Sequence, residues 1–90
     1  MRFLVVIDYT DLEARARTVD AHRAFLAAAR AAGRVSESGP FVDGVGGFYV
    51  LHAADADDAQ AFVRDDPYFR DAKLHYTVRG FKSSLEASDK

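Results

Sequence analysis

The sequence predicts an α+β fold of order β-α-β-β-α-β, the ferredoxin-like arrangement of a four-stranded antiparallel sheet with two helices on one face. Four short tracts rich in β-branched and aromatic residues alternate with two tracts that carry helical apolar spacing. Turn residues punctuate the joints, at Gly33, at residues 43–47 and at Asp66-Pro67. Two of the strands are apolar on both faces, which is more than helices on one side can cover.

Residues 2–9 form the first strand. Phe3, Val5, Ile7 and Tyr9 lie on one face and Leu4, Val6 and Asp8 on the other, the pattern of a central strand. Residues 10–18 lead into a helix over residues 15–33. Thr10 or Asp11 caps an early turn, Glu13 suits the N-terminus, and Gly33 suits the C′ position. The apolar stripe of this helix is Val19, Phe25, Leu26 and Ala29, flanked by Arg17, Asp20, Arg23 and Arg30. His22 falls in the middle of that stripe, three residues before Phe25 and four before Leu26.

Residues 34–42 read as the second strand. Ser38-Gly39-Pro40 interrupts it, because proline has no N–H to give a ladder, so that part is an edge, a bulge or a bend. Residues 43–47 make a hairpin turn. Residues 47–53 are the third strand, with Phe48, Val50 and His52 on one face and Tyr49 and Leu51 on the other. Asp55 caps a helix over residues 56–64 whose core side is Ala59, Phe62 and Val63. Asp66-Pro67 ends it, since the residue before a proline is pushed out of the helical region. Residues 67–72 start one more short turn, residues 74–82 are the last strand, and residues 83–90 are a polar tail expected to fray.

Composition narrows the function classes. Ninety residues make one domain with a modest core, a size at which oligomerisation is a common route to stability. The formal net charge is −2 and Lys and Arg do not gather into a run, so nothing favours a nucleic-acid partner. The absence of cysteine excludes disulfides, thiolate metal sites and cysteine nucleophiles. The apolar run at residues 3–7 is too short for a signal peptide or a membrane span, so a cytoplasmic protein without a membrane partner is expected. The surplus apolar sheet face predicts a homodimer in which two sheets pack face to face.

Two uses of His22 fit its position. It is either a core-edge group with one backbone partner, or a general acid or base held in a small cavity between helix and sheet. Imidazole suits the second use because its ordinary pKa is about 6.5. The run Asp65-Asp66-Pro67-Tyr68-Phe69 is by itself a helix stop; alternatively, Asp66 points into the same cavity, orients His22 and fixes its tautomer. Ser38-Gly39-Pro40 is a bulge at a sheet edge, or backbone opened to a ligand with Ser38 as a donor. Arg15, Arg79 and Tyr76 are further candidates, and an arginine near a pocket suits a carboxylate substrate. His52 and His75 lack metal-ligand spacing, and Gly44, Gly46 and Gly47 precede a strand rather than a helix, so neither a metal, a phosphate loop nor a cofactor is expected.

Taken in order, several motifs resemble the YciI-like (YCII-related) family. They are the opening strand FLVVIDY, Arg15 seven before His22 and Leu26 four after it, Gly33-Arg34-Val35, Ser38-Gly39-Pro40 and Gly47-Phe48. The helix with Ala59 and Phe62 then runs into Asp65-Asp66-Pro67-Tyr68, and a strand closes near Phe81-Lys82. The resemblance covers about residues 2–82, which form the expected domain. It implies a dimeric α+β barrel and an active site built from the helix histidine and the aspartate before proline, here His22 and Asp66. Arg15, Ser38, Gly39, Pro40 and Tyr68 are the expected substrate contacts. A relative is a dehydrochlorinase of a chlorinated hydroxyquinol, and the fold is shared with muconolactone isomerases and small monooxygenases.

The function expected is therefore acid/base chemistry by a His–Asp pair on a small cyclic or carbonyl compound: an elimination, isomerisation or hydrolysis. A non-catalytic ligand-binding or accessory domain, and a cofactor-free monooxygenase, are the other readings. One departure stands out. Many relatives carry an arginine three residues before the histidine, where this chain has Val19, which implies a more apolar pocket or a different ligand.

Overall fold

A computed structural model describes residues 1–85 of the chain. The elements run β1 (Arg2–Asp8), α1 (Leu12–Ala31), β2 (Val35–Pro40), β3 (Gly46–His52), α2 (Ala56–Asp65), α3 (Pro67–Arg70) and β4 (His75–Phe81). The four strands form one sheet in the order β2-β3-β1-β4, and all neighbours are antiparallel. This is the expected ferredoxin-like α+β arrangement, with β1 in the interior of the sheet.

Local chemistry places the helix ends. Asp11, rather than Thr10, caps α1 by accepting the Ala14 N–H at 3.0 Å. Asp55 caps α2 in the same way, accepting the Asp58 N–H at 2.8 Å. Past the C-terminus of α1, Gly33 takes φ +77°, the left-handed value that glycine adopts without steric cost. Pro67 opens α3, where its missing N–H loses nothing, and Asp66 precedes it in extended backbone.

Of the three readings of Ser38-Gly39-Pro40, the edge holds, and the bulge falls elsewhere. Ser38, Gly39 and Pro40 do not break the second strand; they pair with Tyr49, Phe48 and Gly47, and the irregularity lies earlier, between Val35 and Glu37. The reason is position. β2 is an edge strand, and Phe41 next to Pro40 donates its N–H to Gly46, so the nitrogen at position 40 faces away from the sheet. The expected polar tail also starts differently, because Ser83 is buried at 8 % exposure rather than frayed. Residues 86–90 of that tail lie outside the described residues.

Burial is one-sided. Phe3, Val5 and Ile7 of β1 are at most 3 % exposed, packed with Tyr49, Leu51, Leu26, Ala29, Ala59 and Val63 under the helices, whereas Leu4 on the opposite face is 38 % exposed. Each fully buried large apolar side chain contributes about 1.5–3 kcal/mol, so the helix-covered face carries the stability of the isolated chain. The other face presents Leu4 opposite Val50 and Val6 opposite Phe48.

Among the glycines, Gly46 leaves the least room for a side chain. A Cβ there would lie 2.6 Å from the Ile7 carbonyl oxygen, which is backbone and cannot rotate away. Gly46→Ala is expected to destabilise the fold by about 1–3 kcal/mol, read as a lower urea midpoint. An unchanged midpoint would show that β1 and β3 shift apart without strain.

Candidate active site

The site is built around the N-terminus of α3. Because Asp66 caps that short helix, its Oδ1 accepts the Tyr68 N–H at 3.0 Å and the carboxylate is held under the helix end. From there it meets two groups from distant elements. The same Oδ1 lies 2.7 Å from Nδ1 of His22 on α1, and Oδ2 accepts a hydrogen bond from the Tyr76 hydroxyl on β4. Asp66 is fully buried, and three donors satisfy it.

His22 is turned inward at 8 % exposure. Its ring stacks on Tyr68 with centroids 3.7 Å apart and planes 8° from parallel. The stack fixes the plane of the imidazole and the Asp66 bond fixes its rotation. An ionised carboxylate can only accept, so Nδ1 carries the hydrogen. Nε2 is then the nitrogen available to a cleft of about 340 Å³ that His22 helps to line.

Tyr9 and Arg15 continue the His22 side of this cleft. Tyr9 meets Tyr68 edge-on at 5.9 Å, and the Arg15 guanidinium lies 4.8 Å over the Tyr9 ring. Ser38, Gly39 and Pro40 of the edge strand form the facing wall. Arg30, in the last turn of α1, donates to the Ser38 hydroxyl and ties that wall to the helix. Thus Arg15, His22, Ser38, Gly39, Pro40 and Tyr68 all border one cleft. Asp66 does not. It was expected to point into the cavity, but capping α3 holds it behind the imidazole, and it reaches the cleft only through His22.

The remaining sequence candidates separate. Tyr76 joins the site through Asp66, but Arg79 is exposed on the open face of the sheet, in register with Leu4. His52 bonds to Ser36 on the edge strand, and His75 is exposed at the start of β4. No cluster of three or more His, Asp or Glu among the described residues could hold a metal ion. The pocket implied by Val19 also differs. It is not simply apolar, because Arg15, Arg23 and Arg30 bring guanidinium groups to it from other positions on α1.

Tyr49 is a member of this region that sequence reasoning missed. Its hydroxyl is buried without a hydrogen-bond partner. The available signal was a phenol on the inward face of β3, at a position where alternation calls for an aliphatic residue. Burial pushes the Tyr49 and Tyr76 phenols far above their ordinary value, and the nearby Asp66 charge adds to it. Burial raises Tyr68 as well, against the opposing pull of Arg15. All three phenols therefore stay protonated at physiological pH.

Two measurements check this arrangement. Tyr76→Phe leaves a buried carboxylate oxygen short of a donor and is expected to lower stability by about 1–3 kcal/mol at neutral pH. The unfolded chain ionises its phenols near the ordinary value of 10.0, while the folded chain holds those protons to higher pH. The phenols' contribution to stability should therefore be constant below about pH 9.5 and fall as pH rises above about 10. Urea midpoints across that range would test it, and Tyr76→Phe should flatten the alkaline fall. An equally steep fall in that variant would remove Tyr76 as a cause.

The sequence profile of the YCII-related domain matches residues 1–82. Among solved structures, the chain is similar to 5-chloro-2-hydroxyhydroquinone dehydrochlorinase from Burkholderia phenoliruptrix, determined in complex with 2,5-dihydroxybenzoquinone. The likeness has a TM-score of 0.80 and 26% identity, over 94% of this chain and 97% of that one. No curated protein sequence matches it. With a profile match over nearly its whole length and a fold shared from end to end with that enzyme, the chain belongs to the family of YCII-related domains.

Proposed function

We propose that the chain is a small-molecule enzyme, a cytoplasmic homodimer, in which His22 moves a proton on a small cyclic or carbonyl-bearing substrate. The observation that carries this reading is the 2.7 Å contact between His22 Nδ1 and Asp66, which leaves Nε2 for the cleft. Asp66 is the positioning residue: it holds the tautomer and offsets the charge the imidazole gains. Arg15, Ser38, Gly39, Pro40 and Tyr68 contact the substrate.

Elimination is the favoured reaction class, because the structurally similar Burkholderia enzyme is a dehydrochlorinase whose complex holds a quinone. In such a step Nε2 takes a proton from the substrate. The electron pair left behind forms the new double bond, and the leaving group departs as an anion with its own pair. The proton then passes from Nε2 to water.

The test is a panel of halogenated hydroquinols, lactones and other small carbonyl compounds, assayed with the wild type, His22→Ala and Asp66→Asn. His22→Ala should lower turnover by about 10²–10⁴-fold, the usual worth of a general acid or base. Asp66→Asn should lower it by at least about tenfold. Equal turnover by all three proteins would end the proposal. A compound that raises the melting temperature but is never converted would favour a non-catalytic binding domain, and oxygen uptake with a quinol would favour a cofactor-free monooxygenase.

The homodimer is supported by the open sheet face, where Leu4, Val6, Phe48 and Val50 form two cross-strand apolar pairs. Sedimentation should give a dimer for the wild type, and Val6→Glu should shift it toward monomer. A monomeric wild type at assay concentration would rule out pairing through this face.

A further inference from the structure

The charge lining the cleft does not follow from the composition. The chain has 14 Asp and Glu against 12 Lys and Arg, yet the cleft is bordered by Arg15, Arg23 and Arg30 and by no carboxylate. Asp66 is buried behind His22 and already accepts three hydrogen bonds, and the Glu37 carboxylate accepts the Ser38 N–H beside the cleft rather than lining it. A concave site lined by one sign of charge concentrates ligands of the opposite sign.

The three arginines are not equivalent. Arg30 donates to Ser38, and Arg23 is exposed on the helix next to His22. Arg15 is half-buried, pinned over the Tyr9 ring, and its Nε is buried with no acceptor. A buried donor without an acceptor is uncommon in a native structure, and this one belongs to a side chain on the cleft wall. Tyr68 connects it to the proposed chemistry. One face of that residue stacks on His22, and the Arg15 guanidinium acts electrostatically on its phenol. Tyr9, Tyr68 and Phe48 supply aromatic walls, and a volume of about 340 Å³ suits one substituted ring.

We propose that the cleft selects organic anions, specifically a single aromatic or quinonoid ring carrying an ionised oxygen group, with Arg15 as the residue that holds the charge. This deepens the reading of the His22 cleft as the reaction site and rests on it. Arg15 supplies a planar fork for a carboxylate or an ionised ring hydroxyl. The opposite edge of the ring is then turned toward His22 Nε2.

Isothermal titration of matched anionic and neutral probes tests the proposal: benzoate against benzamide, and 2,5-dihydroxybenzoquinone against its dimethyl ether. The wild type should bind each anion at least about tenfold more tightly than its neutral partner, the usual worth of one charge-assisted hydrogen bond. Arg15→Gln should abolish that preference. Arg15→Lys, which keeps the charge and loses the fork, should keep only part of it and serves in its place if the Gln variant does not fold. His22→Ala should retain the full preference whatever it does to turnover, which separates failure of the anion site from failure of the acid/base reading. Equal affinity for anion and neutral partner would overturn the proposal, as would a preference that survives Arg15→Gln. Inorganic phosphate binding as tightly as the ring anions would reduce the cleft to an unspecific cationic surface.

Discussion

A buried carboxylate is the constraint around which this small domain is organised. Asp66 is fully shielded from water, and an unpaired carboxylate there would be strongly unfavourable. Its three donors come from three places: the first turn of α3, the middle of α1 and the body of β4. Satisfying one acid therefore fixes the approach of two helices and a strand. The same bonds set the rotation of the His22 ring, so the polar interior and the site are one structure. A change that frees the carboxylate therefore also frees the imidazole.

Aromatic residues do the complementary work on the cleft side. Tyr68 follows the cap and its proline directly, so the geometry that secures Asp66 also lays the Tyr68 ring against His22. Tyr9 meets Tyr68 edge-on and supports Arg15 over its own face. A cationic side chain, two phenols and an imidazole are thus packed in sequence along one wall. Each is held by its neighbour's ring rather than by a flexible loop. Rigid placement of this kind limits the reorganisation a site must undergo when it binds.

The fold leaves this arrangement on one side of the sheet only. The chain is a member of the YCII-related family and shares its overall architecture with a dehydrochlorinase. The opposite face carries the apolar pairs Leu4–Val50 and Val6–Phe48, uncovered within a single chain. A domain of 90 residues has few spare apolar residues, so placing them there is a structural expense that self-association would offset.

Much of this could be read from the chain itself, and particular residues show why. Strand and helix periods are set by covalent geometry, so Val5 and Ile7 facing the core, and His22 falling within an apolar stripe, follow from spacing alone. Asp66-Pro67 announced a helix boundary because proline restricts its neighbour whatever the surroundings. What spacing cannot carry is convergence. His22 and Asp66 are 44 residues apart, and whether their side chains meet is settled by how α1 packs against α3. The retreat of Asp66 behind the imidazole, the arrival of Tyr76 on its second oxygen, and the continuity of Ser38-Gly39-Pro40 with the sheet are of the same kind. Local sequence determined the elements and the direction each residue faces, since those depend on near neighbours. Packing alone decided which polar groups share a buried space, because burial makes each of them find a partner wherever the chain supplies one.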